Sequence, residues 1–206
     1  MAIIKDVQTL GIAMAAWADR GDLGPDLLLE FIDFAGRSAC QQLRVPAMER
    51  VVLLRPDDGR LAIPTDYLEL RSIVGPASSR TKALEYVPWD YFVQESNKLS
   101  AGEPAIFTRR GNTWYIYPEP ADDAVFSCNY YATFEPLGPE TPTNWLLELS
   151  PMTYLFGGLR YLCEYTMDNE RAAYWEQKFN QEIARIQALA DRSEHRGSTL
   201  ATRLID

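Results

Sequence analysis

The hydrophobic and polar positions follow one period at the two ends of the chain and another in its middle. Near the start, Ile3, Val7, Leu10, Met14 and Trp17 recur at spacings of four and three, one apolar seam along a helix. Asp19-Arg20-Gly21-Asp22 interrupts it. Pro25 opens a second helix, since a missing N–H costs nothing in the first turn. The buried stripe there is Leu28, Ile32, Ala35 and Ala39, widened by Phe31 and Leu43. Helical spacing returns at Ser150-Pro151, a side-chain cap followed by proline, with Met152, Leu155, Phe156, Leu159, Leu162 and Cys163 turned inward. Asp168 caps a fourth helix that buries Trp175, Phe179, Ile183, Ile186 and Ala190.

Between these helices the pattern is that of short strands. Twelve of the thirteen prolines lie from Pro46 to Pro151, and proline both removes a donor and ends helices. Val51–Leu54 leads through the turn Pro56-Asp57-Asp58-Gly59 to Leu61–Ile63. Tyr67–Val74 and Ala83–Val87 are β-prone, and Pro88-Trp89-Asp90-Tyr91-Phe92 starts a short helix that Gly102 ends. Arg110-Gly111-Asn112 joins Ala105–Arg109 to Thr113–Tyr117 as a hairpin. Val125–Thr133 places Phe126, Cys128, Tyr130 and Ala132 on one face, Asn129 and Tyr131 on the other. The expected fold is α+β. Helices in 1–45 and 145–195 form a four-helix bundle, a small antiparallel β unit (46–144) is inserted between helices two and three, and 196–206 is an extended tail, flexible until bound.

Composition narrows the function. With 20 Lys and Arg against 29 Asp and Glu, the net charge of −9 opposes adhesion to a phosphate backbone, though not the passage of DNA. No apolar run approaches the roughly 20 residues of a membrane span, and Lys5 beside Asp6 does not fit a secretory signal. Cys40, Cys128 and Cys163 are too scattered for a disulfide framework, and their usage suits a reducing cytoplasm.

Chemistry is scarce. The single histidine, His195, sits between Glu194 and Arg196 at a helix end, so it reads as solvated rather than catalytic. Spaced Cys and His for zinc are missing, Asp57-Asp58-Gly59 lacks the later ligands of a calcium loop, and no phosphate loop occurs. Gly157-Gly158 falls inside a helix, where it permits close packing at about 1 kcal/mol of propensity per glycine. The expectation is therefore no catalytic, cofactor or metal site. Two alternatives stay open: a two-carboxylate glycosidase built on Glu119, Asp122, Asp123 or Glu135, and a tail or neck protein whose aromatic surface stacks sugar rings.

Arg171, Lys178, Arg185 and Arg192 recur at intervals of seven and drift only about 20° per step, a basic ribbon on an acidic chain. It is either a solvated face with local pairs such as Lys178–Glu182, or a contact for an acidic partner that includes another copy of the chain. The outward tyrosines Tyr115, Tyr117 and Tyr131 are candidates for the same role. In the tail, burying Leu200, Leu204 and Ile205 yields roughly 1.5–3 kcal/mol each, against about 1–2 kcal/mol for each residue ordered. Alone it is expected to stay loose, and many tails acting together on a ring bind firmly.

Several segments, in order, resemble the head-to-tail adaptor (connector) proteins of short-tailed bacteriophages: Leu61-Ala62-Ile63-Pro64-Thr65-Asp66-Tyr67-Leu68-Glu69-Leu70, Leu84-Glu85-Tyr86-Val87, Gly102-Glu103-Pro104, Tyr115-Ile116-Tyr117-Pro118-Glu119-Pro120, Tyr130-Tyr131, Asn144-Trp145-Leu146-Leu147, Tyr154-Leu155-Phe156-Gly157-Gly158-Leu159 and Asp168-Asn169-Glu170-Arg171-Ala172-Ala173. The resemblance covers about residues 25 to 190. It implies a non-enzymatic virion component, made in the host cytoplasm and placed at the head–tail junction, whose copies form a ring, typically of twelve. The ring docks beneath the portal, offers its lower face to the tail nozzle or tail fibres, and lets DNA pass without sequence-specific binding. By the same resemblance Leu200, Arg203, Leu204 and Ile205 become candidate portal contacts.

Overall fold

The structure is a computed structural model that describes residues 3–75, 83–98, 102–121 and 123–195. Its elements run α1 (Val7–Ala18), α2 (Pro25–Gln42), a 3-10 turn (Pro46–Met48), β1 (Glu49–Leu54), β2 (Arg60–Ala62), β3 (Tyr67–Val74), β4 (Glu85–Tyr86), α3 (Trp89–Ser96), β5 (Ile106–Arg110), β6 (Thr113–Tyr117), β7 (Phe126–Ala132), α4 (Trp145–Leu149), α5 (Pro151–Tyr165) and α6 (Asn169–His195). Two compact units result, Met1–Ala47 with Phe134–Asp206, and Met48–Thr133.

In the helical unit α5 is the centre, packed by α1, α2, α4 and α6. Gly157 and Gly158 make this possible. A Cβ on Gly157 would lie 2.7 Å from the Cβ of Ala35 on α2 and 3.0 Å from Phe179 Cδ2 on α6, and one on Gly158 would lie 2.6 Å from Met14 Cε on α1. The two glycines let three helices approach α5 at one level. Leu10, Met14, Leu155 and Leu159 are buried there. Asp6 and Thr9 start α1 as a capping box, the Thr9 N–H donating to Asp6 Oδ1 at 2.8 Å and the Asp6 N–H to Thr9 Oγ1 at 3.1 Å. Ile3 lies outside α1 and is 73% exposed, so the predicted seam begins at Val7. Pro25 and Pro151 stand in first turns as expected. Ser150 does not cap α5 with its side chain: its hydroxyl donates to Glu182 Oε2 at 3.0 Å and accepts from Thr153 Oγ1 at 3.1 Å.

The second unit holds two sheets, β1-β7-β3 and β2-β6-β5-β4. Leu61, Ile73, Phe107, Trp114, Ile116, Phe126 and Cys128, drawn from both sheets, form one buried cluster. β7 alternates as its sequence dictates: Phe126, Cys128, Tyr130 and Ala132 are buried, while Ser127, Asn129 and Tyr131 are half-exposed. At Asp58-Gly59 both residues take left-handed φ (51° and 68°), and Asp57 and Arg60 exchange backbone hydrogen bonds at 2.8 and 3.0 Å. An Asp-Gly pair favours this two-residue reversal.

The expected architecture is corrected here. Among the described residues there are six α-helices and seven strands in two sheets, not a four-helix bundle with a small antiparallel β unit. β1 and β2, which flank a tight turn, join different sheets, and β4 pairs parallel to β5. The helix α4 after Asn144 is additional; the Asn144 side chain accepts from the Leu147 N–H at 3.0 Å and starts it. Pairing between distant strands depends on which faces can be buried together, and local periodicity does not carry that information. The expected tail, 196–206, lies outside the described residues.

Candidate functional site

α6 has 27 residues and so is about 40 Å long. Arg171, Arg185 and Arg192 are exposed on it and Lys178 is half-buried. Asp168 caps its start, accepting from the Arg171 N–H at 3.2 Å. Arg171 Nη2 also donates to the Trp17 carbonyl at 3.5 Å, which ties the ribbon's first member to the end of α1. Lys178 Nζ stands 5.6 Å from the centroid of the Tyr174 ring. Glu182, which the sequence offers to Lys178, is engaged by Arg185 at 2.6 Å and by Ser150. The second and third ribbon members thus differ: Lys178 rests on an aromatic face, and Arg185 braces the start of α5.

Beside Lys178 the helices open a cleft of about 370 Å³ lined by Trp17, Phe156, Tyr174, Trp175 and Gln181. Phe156 and Trp175 stack with centroids 5.6 Å apart, and Trp17 and Tyr174 approach Trp175 at 5.8 and 4.8 Å. Trp175 Nε1 is buried without a hydrogen-bond partner. The sequence assigns Trp17, Phe156 and Trp175 to the core seams, but each is only half-buried. Tyr174 is not singled out in the sequence at all; its signal is Lys178 four residues on, a helical cation–aromatic pair.

The three candidate tyrosines lie in the other unit. Tyr115 is half-buried between Trp89 (5.5 Å) and Phe92 (6.5 Å) of α3, with the Arg60 guanidinium 5.4 Å over its ring. Tyr117 meets Phe92 at 6.3 Å. Tyr131 carries Arg71 at 5.4 Å, and Arg71 is also paired with Glu49. Two of the three are therefore occupied in fastening α3 to the second sheet. Behind Tyr131, Tyr130 donates to Asp66 Oδ1 at 2.9 Å, and burial together with that hydrogen bond pushes its phenol up to about 12. Leu200, Arg203, Leu204 and Ile205 lie outside the described residues.

A family model described as SU10 adaptor protein matches residues 4–203. The chain belongs to that family. No curated protein matches it. The match spans nearly the whole chain, both units included, and makes the protein a structural adaptor of a phage virion.

Of the candidate carboxylates in this adaptor, Glu119 and Asp123 are exposed in the β unit, Glu135 is exposed in the helical unit, and Asp122 lies outside the described residues. Among the described residues no group of three or more His, Cys, Asp or Glu could hold a metal ion, and no helix is long and apolar enough to cross a membrane. What the adaptor offers is surface: an aromatic and cationic strip on α6, and arginines stacked on aromatic rings around both sheets, including Arg109 over Tyr67 at 5.0 Å and Arg110 over Trp89 at 4.7 Å.

Proposed function

We propose that the adaptor acts without catalysis as a ring, of twelve copies by the family resemblance, between the portal and the tail nozzle or tail fibres. The match to an adaptor family over residues 4–203 carries this reading. A frame built from 1–45 and 145–195 and an insertion from 46–144 divide the work between neighbour contacts and tail contacts. The basic ribbon Arg171, Lys178, Arg185 and Arg192 meets an acidic neighbour or tail protein, as does Tyr131, whose ring sits on the outer face of the first sheet. Leu200, Arg203, Leu204 and Ile205 reach the portal. A net charge of −9 supports a channel wall that DNA passes without adhering. Synthesis in the host cytoplasm followed by addition to the packaged head completes the reading.

Imaging portal particles mixed with the protein tests it. Ordered rings on the portal's tail-facing end are the expected result, and the same mixture of Leu200→Asp/Leu204→Asp protein should leave most portals bare. A protein that stays monomeric beside bare portals under all conditions overturns the reading.

A further inference from the structure

Two of the four ribbon cations have carboxylates in their own chain: Arg171 reaches Asp168 at 3.9 Å and Arg185 reaches Glu182 at 2.6 Å. Among the described residues no carboxylate pairs with Lys178 or Arg192. The same side of α6 exposes apolar surface. Tyr174, four residues before Lys178, is 51% exposed, and Leu189, four residues after Arg185, is 49% exposed. Residues four apart share a helix face, and aromatic side chains interleaved with arginine are the composition of an interface rather than of a solvated helix.

The complement lies on α2. Of the described helices only α2 carries carboxylates seven residues apart, Asp26 and Asp33, which is the interval of the ribbon. Glu30 stands between them, and Phe34 beside them is 40% exposed. Seven residues advance about 10.5 Å along a helix and drift only about 20° around it, so two helices with this interval stay in step side by side. Asp33 holds Arg37 at 2.7 Å, but among the described residues no cation pairs with Asp26 or Glu30.

Within one chain the two surfaces belong to different sides of α5. α5 receives α2 on Tyr154, Tyr161 and Tyr165, and α6 on Phe156 and Arg160. At 3.6 residues per turn these stripes lie about 140° apart. A cyclic ring requires this arrangement, two unlike patches on each copy that meet head to tail.

We infer that α6 of one copy docks along α2 of the next, with ribbon cations against Asp26, Glu30 and Asp33, and Tyr174 and Leu189 against Phe34. The inference rests on the ring reading and names the neighbour's surface in it. On a chain of net charge −9, this pairing turns repulsion between copies into attraction at the one contact where they must touch.

Charge exchange on portals, with no tail protein present, tests it. One full-length protein carries Lys178→Glu and Arg192→Glu, another Asp26→Lys and Glu30→Lys. Each alone should fill at least about ten-fold fewer portals than the unaltered protein, because like charges then meet. An equal mixture should fill them again, since each reversed face finds the other in an alternating ring. Reversed proteins that each assemble normally overturn the inference and leave the ribbon to a tail protein. So does a mixture no better than its components when both melt within a degree or so of the unaltered protein.

A second measurement needs no variant. Zero-length carbodiimide coupling of rings built from equal parts of isotope-labelled and unlabelled chains should join Lys178 to Asp26, Glu30 or Asp33 of the other isotope. Coupling of Lys178 to other carboxylates alone overturns the inference whether or not the variants fold. Unaltered protein that leaves portals bare is the distinct failure of the ring reading, and it removes the inference with it.

Discussion

Gln187 of α6 closes both backbone groups of Arg44: its Oε1 accepts from the Arg44 N–H at 3.0 Å and its Nε2 donates to the Arg44 carbonyl at 2.9 Å. Arg44 follows the end of α2, where backbone groups no longer find helical partners. One amide therefore anchors the point at which the chain leaves the helical unit. Replacing Gln187 by Leu strands two partly buried backbone groups and should lower stability by about 1–3 kcal/mol. Gln187→Glu retains the acceptor, loses the donor and should fall between. Urea melts followed by circular dichroism give the order; equal midpoints for all three proteins contradict it.

Three glycines should answer alanine differently. Gly157→Ala forces a Cβ to 2.7 Å from that of Ala35, which is fixed to a helix, and should cost about 1–3 kcal/mol. Gly158→Ala meets only the flexible end of Met14, so the cost should be small. Gly11→Ala meets nothing and should gain up to about 1 kcal/mol from helix propensity. Thermal melting must rank the variants Gly11→Ala, Gly158→Ala, Gly157→Ala from most to least stable.

Alkaline pH should unfold the protein through two tyrosines. Burial pushes the Tyr154 phenol up to about 12, although Asn144 Nδ2, donating to it at 2.7 Å, pulls the other way; Tyr130 is raised to about 12 as well. The unfolded value is about 10, so the unfolded chain loses these protons first. Stability is intact below pH of about 10 and is lost as pH rises through about 12. Tyr130→Phe should make that decline shallower in melts taken across the range, and an unchanged decline rules Tyr130 out as a contributor.

The thiols should be silent in the native protein. Cys128 is 0% exposed, and burial pushes its thiol up to about 12; burial raises those of Cys40 and Cys163 too. A thiolate is the reactive form, so labelling with a chromogenic disulfide at mildly alkaline pH should count no thiols before unfolding and three after it. Rapid native labelling of even one cysteine contradicts this burial.

Within the basic ribbon, charge reversal should separate structure from contact. Arg185→Glu loses Glu182 and Ser150 together and should reduce stability and assembly alike. Arg192→Glu, at an exposed position, should leave the melting temperature within a degree or so and act only on assembly, read by mass photometry of portal mixtures.

The sequence by itself determined α1, α2, α3, α5 and α6 and most of their inward positions, because a helix is written in neighbours three and four residues apart; α4 and the half-exposure of Trp17, Phe156 and Trp175 were not legible there. Pro25 and Pro151 open α2 and α5, Asp168 caps α6, and β7 alternates residue by residue as its sequence demands. The ribbon on α6 was legible for the same reason. Tertiary structure alone decided that Val51–Leu54 and Leu61–Ile63 enter different sheets, that Tyr115 and Tyr117 turn onto α3, and that the Ser150 hydroxyl bonds the Glu182 and Thr153 side chains rather than capping the backbone of α5. It also decided that the open side of α1 and α2 forms a groove. Each of these depends on partners distant along the chain, and the burial of one apolar face against another selects such partners only once the chain has folded.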